Sequence, residues 1–217
     1  MIPKRPVKQE ENVDAWLMSY ADMITLLLCF FIIFVSVSEP KKDKISQIAE
    51  GMAGKFGMVA YSTPFLSAVK ALQATVEENQ LYKDVAVEGT SKSLSMELAT
   101  HRFFKSGGAE IDEATMPVLQ QMIGVLTKGE LAQYSISIES HTSDALPQSG
   151  LYKNNWELSS VRAAKLAEYF IRNGVPAAKI RAVGYSDSRP KVPNLDARGN
   201  PIEENRQRNQ RVTVRLE

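Results

Sequence analysis

From Trp16 to Val37 the chain reads WLMSYADMITLLLCFFIIFVSV, with no proline or glycine and a single charge. A bilayer core of ~30 Å needs about 20 mostly apolar helical residues, so this run predicts a membrane helix over 16–38. Trp16 and Tyr20 suit the entry interface, and Glu39, Pro40, Lys41, Lys42 and Lys44 close the exit. A signal peptide has a core of about 7–15 residues ending at a small-residue cleavage site. Here the core is longer, carries an acid and keeps bulky aromatics almost to its end, so the helix is read as retained. Lys4, Arg5 and Lys8 precede the helix and three lysines follow it closely, so charge is nearly balanced across it; a short cytoplasmic tail over 1–15 is expected as the more economical layout.

Past the helix the pattern changes twice. Ile45, Ile48, Ala49, Met52 and Phe56 recur at helical spacing among polar residues, predicting an amphipathic segment over 39–58. Gly51, Gly54 and Gly57 weaken it. Leu66, Val69, Leu72 and Val76 continue at helical spacing, and 59–90 is expected to be a helical linker. From Ser91 strands and helices alternate. Leu94, Met96 and Leu98, and later Ile136 and Ile138, have the period of half-buried strands. Helices are expected over 113–128 and 155–173, the second stopped by Gly174-Val175-Pro176, and strands over 180–184 and 211–216. The expected fold is a single N-terminal transmembrane α-helix followed by an α/β sandwich over 91–217 with one helical layer.

Composition narrows the function. The 217 residues carry a net charge of +1, which gives no basic footprint for nucleic acid. The single cysteine, Cys29, lies inside the apolar run, so no internal disulfide is possible.

Asp22 changes the picture most. It lies six residues past Trp16, about 9 Å deeper at ~1.5 Å per residue. Placing an Asp near the centre of a membrane helix costs about 2.5–3.5 kcal/mol, somewhat less nearer the interface. Ser19, Asp22, Thr25, Cys29 and Ser36 share one helical face, while the other faces are Met, Ile, Leu and Phe. Such a polar stripe belongs against protein, so the helix should pair with a second copy, with a separate membrane partner, or with both. A carboxylate held there can take up and release a proton, or coordinate sodium, as access changes.

Three clusters in the distal half could carry chemistry: Ser140 to Asp144 after a strand, Asn155 to Ser159 opening a helix, and the amide-rich basic run from Asn205 to Arg211. Helix-start amides with arginines suit a carboxylate ligand. A hydrolytic triad of His141, Ser159 and Asp144 lacks the G-x-S-x-G elbow, and Ser159 sits where a structural or capping role serves. The protein is therefore read as a non-enzyme.

The string Trp16 to Thr25 resembles the ion-carrying helix of bacterial flagellar stator B subunits of the MotB and PomB type. The segments I-x-S-H-T, Asn155 to Ala163 (NWELSSVRA), Gly184 to Pro190 (GYSDSRP) and Asn209 to Val212 (NQRV) resemble the OmpA-like peptidoglycan-binding domain. The two matches occur in the family's order and together cover most of the sequence.

The resemblance implies an inner-membrane, single-pass subunit with its C-terminal domain in the periplasm. Asp22, with Thr25, would bind the transported proton or sodium ion; no other cofactor is implied. The partners would be a multi-span A-type subunit, five of them around two copies of this protein, and peptidoglycan. The amphipathic segment carrying Ile45, Ile48, Met52 and Phe56 would match the family's plug. In that family the loop after the third strand and the basic run line a diaminopimelate pocket. By position this assigns peptidoglycan binding to His141, Thr142, Leu158, Ser159, Arg162, Asp187, Arg208 and Arg211. Ser140 replaces the family's glycine, and Ser143 its aspartate, with Asp144 one place later. Gln210 replaces the first arginine of the usual N-R-R, with Arg208 nearby. The family's remaining pocket acid falls at Asp187 or Ser188. Flagellar rotation is the expected work; related five-to-two motors serve other tasks, the Zorya anti-phage system among them. A passive wall tether is the alternative from a structural class.

Overall fold

The computed structural model describes residues 15–37, 63–147 and 149–216. The expected plug at 39–58, with Ile45, Ile48, Met52 and Phe56, lies outside them, as does the tail before Ala15. The described residues fall into two units, divided after Val59.

The first unit is helix α1, Ala15–Val37. It is long and apolar enough to cross a bilayer, with Asp22 the one charged side chain of its apolar stretch.

The second unit begins at Ala60, so the domain starts well before the expected boundary at 91. The stretch expected as a linker supplies two elements of it. Helix α2, Pro64–Glu78, is capped by Thr63 and buries Phe65, Ala68, Leu72 and Val76 in the core. Strand β1, Val85–Gly89, then pairs antiparallel with β2, Leu94–Ala99. The helical spacing of Leu66, Val69, Leu72 and Val76 identifies α2 correctly, but a periodic apolar face also needs a partner, and here it is shared between the sheet and the helix at Met116–Leu126.

After the short helix α3, Thr100–Phe103, come α4, Met116–Leu126, and β3, Ile136–His141. Helix α5, Asn155–Arg172, leads to β4, Ile180–Ser186, parallel to β3, and so completes a strand–helix–strand crossover. The fold closes with α6, Glu203–Asn209, and β5, Arg211–Leu216, which inserts antiparallel between β2 and β3. The sheet order is β1-β2-β5-β3-β4. This is the α/β domain expected, with the expected strands and helices matched to within a few residues.

The two sheet faces differ chemically because side chains alternate along each strand. Leu94, Met96, Leu98, Ile136, Ile138, Val212, Val214 and Leu216 point to the helices and form the core. Ser95, Glu97, Ser137, Glu139, Arg211, Thr213 and Arg215 occupy the alternate positions. Arg215 reaches Glu139 at 3.5 Å and Arg211 reaches Glu97 at 3.6 Å across that polar face.

Candidate functional site

A cavity of about 200 Å³ opens where β3 ends and α5 begins. Its walls come from the loop after α3 (Ser106, Gly107), the end of β3 (Thr142, Ser143), the following loop, and the first two turns of α5 (Asn155, Leu158, Arg162). Leu158 and Arg162 are four apart, so they stack on one helix face.

The start of α5 is rigidly built. Asn154 caps it, accepting from the amide of Glu157 at 2.9 Å, and Glu157 reaches back to accept from the amide of Lys153 at 2.7 Å. This reciprocal pair satisfies one donor that the helix N-terminus would leave open and one from the residue before the cap. Asn155 donates from Nδ2 to the carbonyls of Ser143 and Ala145 at 3.1 and 2.9 Å, fixing the β3–α5 loop to the helix. Gln210, from the end of α6, donates to the Ser143 hydroxyl at 3.3 Å.

Arg162 is the charged residue of this cavity, and it is only 4% exposed. Its Nε donates to the carbonyl of Gly108 at 2.8 Å, and its guanidinium lies 5.7 Å from the centre of the Phe104 ring. Nη1 is buried with no hydrogen-bond partner, and no carboxylate pairs with the group among the described residues. Burial pushes the Arg162 pKa down to about 10. A buried cation without a counter-ion is costly in a folded protein. Beside it the Thr142 hydroxyl is also buried and unpartnered. Two orphaned donors lining one cavity have the chemistry that a carboxylate or a comparable anion would satisfy.

The remaining sequence-assigned residues lie elsewhere. His141 sits on the polar face of the sheet, opposite Arg211 in register, with its ring stacked at 5.2 Å on Tyr185. Burial, then the nearby Arg211, Arg215 and Arg189, lowers its pKa to about 4, so it is neutral near pH 7. Ser159 is fully buried under β4, accepting from the amide of Ser186 at 3.1 Å and donating to the carbonyl of Trp156 at 3.2 Å. It is a packing residue. Asp187 accepts from the Ser186 hydroxyl at 2.8 Å. Neither it nor Ser159 lines the cavity.

Arg208 and Arg211 line a different and larger cleft of about 340 Å³, beside β1 and β2. Several of its polar side chains already meet one another: Lys191 with Glu97 at 2.7 Å, Arg211 with Glu97, and His101 with Asp84 at 3.0 Å. Size favours that cleft, but the uncompensated buried charge is at Arg162, and charge decides. Thr142, Leu158 and Arg162 are thus brought together, and His141, Ser159, Asp187, Arg208 and Arg211 are not. Sequence reading misses Ser106, Gly107 and the Gly108 carbonyl; the Ser-Gly-Gly turn signal is the available clue.

In α1, Thr25 donates its hydroxyl to the carbonyl of Asp22 at 2.8 Å, so the two polar residues lie within one turn of each other.

Residues 103–212, just over half of the sequence, match the model of the OmpA family, and residues 3–56 match the family described as membrane MotB of the proton-channel complex MotA/MotB. The protein is a MotB-type member of the OmpA family. Motility protein B of Bacillus subtilis is 27% identical over 252 residues, covering 97% of this sequence and 94% of that one. The Bacillus subtilis protein YtxE is 23% identical, with 95% and 90% covered. Among solved structures, a putative MotB-like protein from Desulfovibrio vulgaris superposes with a TM-score of 0.59 at 23% identity, over 70% of this protein and 92% of that one. The periplasmic domain of Helicobacter pylori MotB gives 0.53 at 20% identity, over 61% and 81%. At these identities the structures speak to the fold shared by MotB-type proteins.

Proposed function

We propose that this MotB-type protein is the ion-binding B subunit of a membrane motor, held to the cell wall by its distal domain. Proton or sodium flow past Asp22, with Thr25 beside it, would drive rotation of a pentameric A-type partner around two copies of this subunit. Flagellar rotation is the favoured work, in keeping with its motility-protein relatives. The single-pass helix belongs in the bacterial inner membrane and the domain in the periplasm.

Arg162 carries the anchoring part of this reading. Its unpaired guanidinium offers a desolvated site to a carboxylate of the peptidoglycan stem, with Thr142 as a second donor and Leu158 as an apolar wall. An anchored domain lets the partner push against something fixed. For the ion, the support is a lone acid on the polar stripe of an otherwise apolar helix, a stripe suited to contact with another subunit.

Two variants test the parts separately. Arg162→Ala should lose co-sedimentation with purified sacculi while the protein remains membrane-inserted; retention equal to wild type removes the cavity from anchoring. Asp22→Asn should assemble and bind sacculi yet do no ion-driven work. Swimming in cells that depend on that variant would leave a passive tether as the function.

A further inference from the structure

Resting on the peptidoglycan reading, we infer that the Arg162 cavity takes a carboxylate whose neighbouring amine is masked or absent, not the free zwitterionic end of an amino acid. The charge inventory of the cavity carries this. Arg162 supplies one cation, and no carboxylate lines the walls among the described residues. The other polar groups are neutral: Ser106, Thr142, Ser143, Asn155 and Gln210.

The one acid close in sequence, Asp144, is engaged elsewhere. Arg206 donates to both of its oxygens, from Nε at 2.8 Å and from Nη2 at 2.9 Å, and the carboxylate points into that pair. Releasing it toward a ligand would break a two-pronged charged contact and leave the Arg206 side chain, only 19% exposed, without it. Ser143, the residue that does face the cavity, has a hydroxyl already bonded to Gln210.

A ligand ammonium entering this cavity would lose its water beside a buried guanidinium and find no anion, so repulsion and desolvation act together against it. A carboxylate meets the opposite conditions. The volume of about 200 Å³ suits one amino-acid-sized group. The free end of a diaminopimelate side chain carries an ammonium and a carboxylate on one carbon, and this site answers half of it. An N-acylated or amide-capped stem whose carboxylate stands alone fits the whole inventory.

The experiment uses the full-length protein in detergent and two synthetic muropeptide stems, one with the distal diaminopimelate amine free and one with it acetylated. Calorimetric Kd values are compared, with sacculus co-sedimentation alongside. Acetylation should tighten the wild-type Kd, whereas Ser143→Asp should shift the preference toward the free amine by roughly tenfold, about 1.4 kcal/mol. A wild-type protein that binds the free-amine stem as tightly as the acetylated one, or more tightly, overturns the inference, whatever the variant does. Sacculus binding without affinity for either stem also overturns it, while the anchoring role survives. Failure to bind sacculi as well as both stems removes the anchoring role itself.

Discussion

Asp144 and Arg206 meet through two hydrogen bonds of 2.8 and 2.9 Å, joining the loop after β3 to helix α6 across 62 residues of sequence. That contact holds shut one side of the region where β3, α5 and the end of α6 converge. It also explains why an acid next to the cavity contributes nothing to its charge. Arg206 donates as well to Glu203, at 2.9 Å on its own helix.

The pair makes an acid-sensitive contribution to stability. Hydrogen bonding from Arg206 holds the Asp144 carboxyl below its ordinary value of 3.8. A depressed folded pKa gives stability that is complete above the ordinary value and lost as pH falls through the lowered one. Asp144→Asn should cost about 1 kcal/mol at pH 7, as a well-formed but partly exposed pair does, and progressively less as pH falls below 3.8. Urea unfolding at several pH values checks this; an equal cost at both ends contradicts it.

His141 should act in a neighbouring pH window. Its folded pKa of about 4 lies below the ordinary 6.5, because burial and Arg211 disfavour the cation. Protonation therefore favours the unfolded state. Stability should be level above about pH 6.5, fall as pH drops toward 4, and level again below it, by at most about 3 kcal/mol. His141→Phe keeps a ring against Tyr185 and should flatten that segment of the curve, read as Tm against pH.

Arg162 should separate binding from stability. Replacing an uncompensated buried cation by an apolar side chain of similar length is often neutral or stabilising. Arg162→Met should leave unfolding free energy within about 1 kcal/mol of wild type or raise it, while sacculus binding is lost. A variant that unfolds and fails to bind would make Arg162 a structural residue instead.

Gly184 offers a packing test. A Cβ built there would lie 2.5 Å from the amide nitrogen of Ser160 and 2.8 Å from the Ser159 hydroxyl. The nearest atom is helix backbone, which cannot rotate away, so β4 and α5 would have to separate. Gly184→Ala should cost about 1–3 kcal/mol in chemical denaturation, far more than the same change at Gly124, where nothing lies within 4 Å.

Much of the architecture is legible in the linear pattern. Leu94, Met96 and Leu98 alternate because one face of β2 meets the core, and period two survives in any linear reading. The run ending at Gly174-Val175-Pro176 declares its own stop, and α5 ends at Arg172 with Gly174 at φ +98°. β1 escapes notice because five residues, VAVEG, offer too short a pattern beside a long helical one. α2 reads as a helix yet passes for a linker, since periodicity shows that a face is apolar without naming what covers it.

The sequence by itself determined the membrane helix and its lone acid, the α/β order of the domain, and the motif residues around which a site would form. Those depend on local composition and spacing. Tertiary structure alone decided which motif residues share a cavity, because alternation in β3 sends His141 to the polar face and Thr142 to the cavity, one residue apart. It also decided which charges are spoken for. Asp144 finds Arg206 62 residues away, whereas Arg162 meets the carbonyl of Gly108 and the ring of Phe104 and, among the described residues, no carboxylate. Pairing is set by distances through space, and no linear spacing encodes it.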